Sequence, residues 1–172
     1  MARIDYADLS DPELEKLAAQ IKAERGGRLL NLYRMLLHSP PVAQGWLALF
    51  TAIRQQANLP GRDRELAILR VAVLNGADYE FAQHVPFALK DGLTETQIDA
   101  VQSDVASPEF SARDRAVLDY TDAMTRNVQV PDEVFARVRA IFPEREVVEL
   151  TATIAGYNLV SRFLEALSVD HE

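Results

Sequence analysis

Two carboxylates and one imidazole stand out at Glu65, Glu80 and His84. Glu80 and His84 are four residues apart, so on a helix both side chains leave one face, one turn apart. Glu65 heads the almost wholly apolar run Leu66 to Leu74, and a carboxylate drawn into such a run needs a partner. An imidazole titrates near neutrality and moves a proton in either direction. Glu80 could orient it, raise its proton affinity or itself act as acid or base. Together the three residue types point to proton-transfer chemistry. The plainer reading is an ion pair of Glu65 with Arg62, Arg64 or another Arg, and a surface Glu80 worth a few tenths of a kcal/mol in an i,i+4 pair with His84.

The elements that must position them form a helical hairpin. The apolar run ends at Asn75-Gly76, where Gly tolerates the left-handed conformation that stops a helix. A second helix follows, with Asp78 able to cap it and Glu80 in its first turn, where the positive dipole end favours an anion. With the turn at Gly76, Glu65 and His84 differ in axial position by about 5 Å at about 1.5 Å per residue, nearly within reach of a Glu side chain. Pro86 lies inside this second helix and cannot donate to the carbonyl of Ala82; it either leaves an acceptor beside His84 or kinks the helix.

The rest of the chain reads as helices. Ser10-Asp-Pro-Glu13 is a start signal with Ser10 as cap, and Gly26-Gly27 a stop. A short helix over Leu29–His38 is broken at Ser39-Pro40-Pro41, and a longer one runs from Val42 to about Ala57. After the hairpin come helices from Glu95, from Ala112 behind the capping pattern Ser111–Asp114, from Pro131 to Ile141, and a last one through Val147, Leu150, Ile154, Tyr157, Phe163 and Leu167. No strand alternation persists and no short repeat is convincing. The fold class is all-α. The helices from Leu66 and Val147 are apolar nearly all round, which predicts burial between subunits.

The 172 residues suit one domain with a real core, 48% of them apolar. The absence of Cys excludes disulfides, thiolate metal sites and thiol redox chemistry within the chain. A formal charge of −8 argues against a nucleic-acid partner. No apolar run reaches membrane-span length, and the polar start is unlike a signal peptide, so a cytoplasmic protein is expected.

Glu65, followed twelve positions later by Ala77-Asp-Tyr-Glu80-Phe-Ala-Gln-His84, resembles the carboxymuconolactone decarboxylase and alkylhydroperoxidase D superfamily. In its peroxidase branch a Glu precedes a Cys-x-x-Cys-x-x-x-His motif at this spacing; here Ala77 and Glu80 stand at the two Cys positions. Ala88, Gly92-Leu93, Ile98 and the late Gly156-Tyr-Asn158…Arg162 segment extend the likeness over Leu29 to Leu167. Thiol peroxidase chemistry is gone with the thiols, and the Tyr-Glu-x-x-x-His form looks like the decarboxylase branch. The resemblance implies a compact all-helical fold, trimers or hexamers, and no cofactor or metal. It implies a small carboxylated lactone or related acid as substrate, with His84, Glu80 and Glu65 catalytic. Arg64, Arg70 or Arg162 would hold the substrate anion and Tyr79 would donate a hydrogen bond. Asn158 and Arg162, one turn apart, would bind a carboxylate or make an intersubunit contact. A non-catalytic oligomer binding a small molecule on the same scaffold is the alternative. Glu65, Glu80 and His84 as metal ligands would lack a second His or a second Glu-x-x-His.

Overall fold

In the computed structural model, residues 1–103 and 106–172 are described. Among them are nine α-helices and no strand. They pack as two compact units, Met1–Gln56 with Leu164–Glu172, and Ala57–Phe163.

The first unit holds α1 (Pro12–Glu24), α2 (Asn31–Leu36) and α3 (Pro40–Thr51), which passes into a π-helical turn, Ala52–Gln56. The cap of α1 is Asp11, one residue later than the Ser10 start predicted from the sequence. Its side chain accepts from the Glu13 amide at 2.8 Å, while Ser10 is bonded to Asp8. Pro40 and Pro41 open α3 rather than separating it from what precedes, since the first turn has no use for their missing N–H groups. Leu17, Ile21, Tyr33, Trp46 and Phe50 are buried. Arg25 ties the helices together, donating to Tyr33 Oη, Thr51 Oγ1 and the Leu47 carbonyl.

The second unit is organised on α4 (Gly61–Asn75), which packs against α5 (Asp78–Lys90), α6 (Glu95–Ser103) and α7 (Ala112–Asn127). Gly76 ends α4 at φ 64°, as its lack of a Cβ permits. The residue before α5 is Ala77, which has no capping side chain, so Asp78 lies within the first turn instead of capping it. The capping box of Ser111 and Asp114 starts α7. Next come α8 (Asp132–Ile141) and α9 (Glu144–Leu167), whose last turn belongs to the first unit.

Leu66 through Leu69 and Val71 are fully buried, so every side of α4 is covered. Its all-round apolarity is thus met within the chain, whereas α9 leaves Val148 and Leu159 exposed. Three ion pairs join α4 to α7: Arg62 to Asp114, Asp63 to Arg113 and Arg70 to Asp122. The near-constant spacing of about fifty residues means the two helices run parallel. Two of the pairs link a repeated triplet, Arg-Asp-Arg at 62–64 and at 113–115, in reciprocal fashion.

At the end of α7, Val128 adopts φ 65° and ψ −44° while exposed to solvent. A β-branched residue pays for that backbone in strain without burial to offset it. Val128→Gly is expected to raise stability by about 1 kcal/mol in urea unfolding. An unchanged or lower midpoint would remove the strain argument. No helix among the described residues is long and apolar enough to cross a membrane.

Candidate functional site

The hairpin of α4 and α5 does bring Glu65 and His84 together. His84 Nδ1 and Glu65 Oε2 are 2.7 Å apart and both residues are buried. Burial pushes the Glu65 carboxyl up, but the hydrogen bond and charge of His84, aided by Arg64, outweigh it and hold it below the usual carboxylate range. An ionised carboxylate only accepts, so the Nδ1–H of His84 donates to it, and Nε2 is the ring nitrogen on the side away from Glu65.

The second oxygen of Glu65 is also taken. Arg64 Nε donates to Oε1 at 3.1 Å and its Nη2 donates to Asp91 Oδ2 at 2.9 Å. Glu65 therefore joins the ion pair that its sequence setting suggests and the bond to His84 as well. A buried carboxylate held by a guanidinium and an imidazole N–H satisfies the requirement for pairing that its burial imposes.

Glu80 is buried, not the surface Glu of the plainer sequence reading. Ser161 Oγ of α9 lies 3.0 Å from its Oε1 and 2.9 Å from the Tyr157 carbonyl, its single O–H shared between the two acceptors. One turn before Ser161, the Tyr157 ring meets the imidazole in a T-shaped contact, centroids 4.9 Å apart. Phe87 lies on the His84 side of α5 at 5.9 Å. Tyr79 is buried on the same helix, which continues unbroken through Pro86.

The other predicted residues are placed differently. Arg70 lies about one and a half turns beyond Glu65 on α4, its Nε and Nη2 on both oxygens of Asp122 at 2.6 and 2.7 Å and its Nη1 on the buried Val101 carbonyl at 3.0 Å. Those bonds tie it to α6 and α7. Asn158 accepts from Asn75 at 3.1 Å and donates to Thr125 at 3.0 Å, bridging the ends of α4 and α7. Arg162 is exposed and bonds back to Asn158. Sequence reasoning missed Asp91 and Ser161. A serine inside the apolar last helix was a signal for the second; nothing local marks the first. Among the described residues, no three His, Cys, Asp or Glu side chains are grouped so as to hold a metal ion.

The profile of the carboxymuconolactone decarboxylase family matches residues 40–123, which include Glu65, Glu80 and His84. A protein of unknown function from Agrobacterium tumefaciens, ATU0492, superposes with a TM-score of 0.73 at 28% identity, over 78% of this chain and 93% of that one. The profile match and this superposition support the carboxymuconolactone decarboxylase and alkylhydroperoxidase D-like superfamily as the place of this chain. Another member-like relative is the uncharacterised protein YdfG of Bacillus subtilis, 29% identical over 115 residues, 66% of this chain and 78% of YdfG. A peroxidase-related protein from Silicibacter sp. TM1040 shares the fold at TM-score 0.84 and 18% identity, covering 99% of this chain and 92% of its own. The debrominase Bmp8 does so at 0.80 and 20%, covering 97% and 90%. At those identities the likeness is one of fold. The superfamily's all-helical architecture agrees with the all-α class read from the sequence.

Proposed function

We propose that this chain is a cytoplasmic carboxy-lyase of the carboxymuconolactone decarboxylase type, acting on a small carboxylated lactone or related unsaturated acid. The observation that carries the reading is the buried 2.7 Å bond between Glu65 and His84 in a chain without Cys. In the step it supports, the bond between the substrate carbon and its carboxylate breaks and CO2 leaves. The electron pair enters the conjugated lactone carbonyl as an extended enolate. Nε2 of protonated His84 then delivers its proton to carbon, forming the new C–H bond, and is recharged from solvent. Glu65 stabilises the imidazolium and fixes the ring, so that Nε2 is the nitrogen presented. Glu80, held by Ser161, is the second carboxylate of the site. Tyr79, Asn158, Arg162 and Arg64 are the candidates for holding the substrate, with Arg70 the weakest because its donors are on Asp122 and Val101.

The reading includes a homo-oligomer, trimer or hexamer. Val148 and Leu159 support it, being exposed and eleven residues apart on α9, which at about 3.6 residues per turn puts them on one face.

The test is turnover of carboxymuconolactone, followed by loss of substrate and release of CO2. His84→Ala is expected to lower kcat by about 10²–10⁴ with the fold retained by circular dichroism. Inactive wild-type protein sinks the lactone assignment. Sedimentation of the same preparation reads the assembly, and a monomer at micromolar concentration rejects the oligomer. A second reading, a non-catalytic binding protein, is favoured by one observation: both oxygens of Glu65 are occupied by Arg64 and His84, as in a structural ion pair. It predicts that His84→Ala loses stability with no turnover to lose.

A further inference from the structure

Four side chains form one line from the surface inward: Asp91, Arg64, Glu65 and His84. The links are 2.9 Å, 3.1 Å and 2.7 Å, and side-chain exposure falls from 27% at Asp91 through 14% at Arg64 to 1% at Glu65. Asp91 caps the end of α5 and its carboxylate lies over the first turn of α4. It fits there because residue 61 is Gly: a Cβ at that position would overlap the Asp91 carboxylate. The absence of a side chain at Gly61 and the reach of Arg64 together fix Asp91 in the line.

We propose that Arg64 and Asp91 are positioning residues that set how tightly the Glu65 carboxylate holds the proton of His84. Arg64 draws on the same carboxylate from its other oxygen, and so weakens the field that Glu65 places on the imidazole. Asp91 offsets Arg64 in turn, because its negative charge compensates the guanidinium. Signs alternate along the line, so the two outer residues act on His84 in opposite directions. Among the charged and titratable groups on the elements packed about the imidazole are Glu65 and Arg64 from α4, Glu80 one turn before it on α5, Asp91 just past the end of α5, and Tyr157 from α9. Only Arg64 and Asp91 change in the comparison below. The inference rests on the proposed function only in taking His84 as the group whose proton matters, and its test needs no substrate.

The experiment is a pH titration of the full-length ¹⁵N-labelled protein, following the His84 ring nitrogens. Their signals are assigned by their loss in His84→Ala and are distinct from those of His38 and His171. Arg64→Gln is expected to raise the His84 midpoint by roughly half a unit to one unit, and Asp91→Asn to lower it by a few tenths. Arg64→Lys keeps a cation in place and stays near the wild-type midpoint. Two shifts of opposite sign establish the line, even in a preparation with no decarboxylase activity. No shift in either variant, or shifts of the same sign, overturns it. If Arg64→Gln does not fold, the direction of the Asp91→Asn shift decides, because Asp91 is partly exposed at a helix end and its loss leaves no buried charge alone. A merely structural role would lower stability in both variants without this alternation.

Discussion

Glu65→Ala is expected to cost about 3–5 kcal/mol of folding stability. The side chain is 1% exposed and answers two partners, so its removal leaves the His84 Nδ1–H and the Arg64 guanidinium without their acceptor in a buried site. Urea unfolding of wild type and variant measures the loss, and a cost under about 1 kcal/mol would show the pair to be solvated. The pH dependence gives a second check. The Glu65 carboxyl is held below its ordinary range in the folded chain, so the stability it contributes is present above that range. It is lost as pH falls through the depressed folded value. Glu65→Gln should therefore be less stable than wild type at neutral pH and should lose less on acidification. A variant whose acid limb parallels that of wild type would contradict the assignment.

Arg70→Ala should be nearly as damaging, by about 3–5 kcal/mol. Its guanidinium makes a two-bond fork with Asp122, an arrangement that fixes geometry as well as charge, and it donates through Nη1 to the buried Val101 carbonyl. Asp122→Ala should cost less, since Asp122 is 26% exposed and water can take over part of its role for Arg70. The double variant should cost less than the sum, with a coupling of about 1–3 kcal/mol in a double-mutant cycle. Additive losses would mean that the two residues act separately. If Arg70 instead held a substrate anion, its removal would raise KM with stability little changed. Measuring both quantities on one variant separates the two roles.

The sequence carried the hairpin because every signal for it is local. The apolar run, the Gly76 stop and the i,i+4 spacing of Glu80 and His84 are read within thirty residues, and they set Glu65 and His84 at nearly the same height, while the helix rotation that turns them together is not written in so apolar a segment. What it could not carry are partners that arrive from elsewhere. Ser161 reaches Glu80 across eighty-one residues, and Asp122 reaches Arg70 across fifty-two. Arg70 looked like a cation awaiting a substrate because its anion lay on another helix. The cap of α1 shifted by one residue because Ser10 and Asp11 are both good caps and only the fold chooses between them. The recurring Arg-Asp-Arg triplet was the one trace in the sequence of the parallel packing of α4 and α7, too short to be convincing as a repeat.

The all-round burial of α4 has a consequence for how the molecule breathes. Amides from Leu66 to Ala72 lie where no face meets solvent, so hydrogen exchange there has to wait for the second unit to open as a whole. Glu65 is anchored to this buried stretch, while His84 rides on a helix whose Phe87 and Leu89 are exposed. Any breathing that admits a reactant therefore falls to α5 and its neighbours, with the carboxylate as the fixed post against which the imidazole moves.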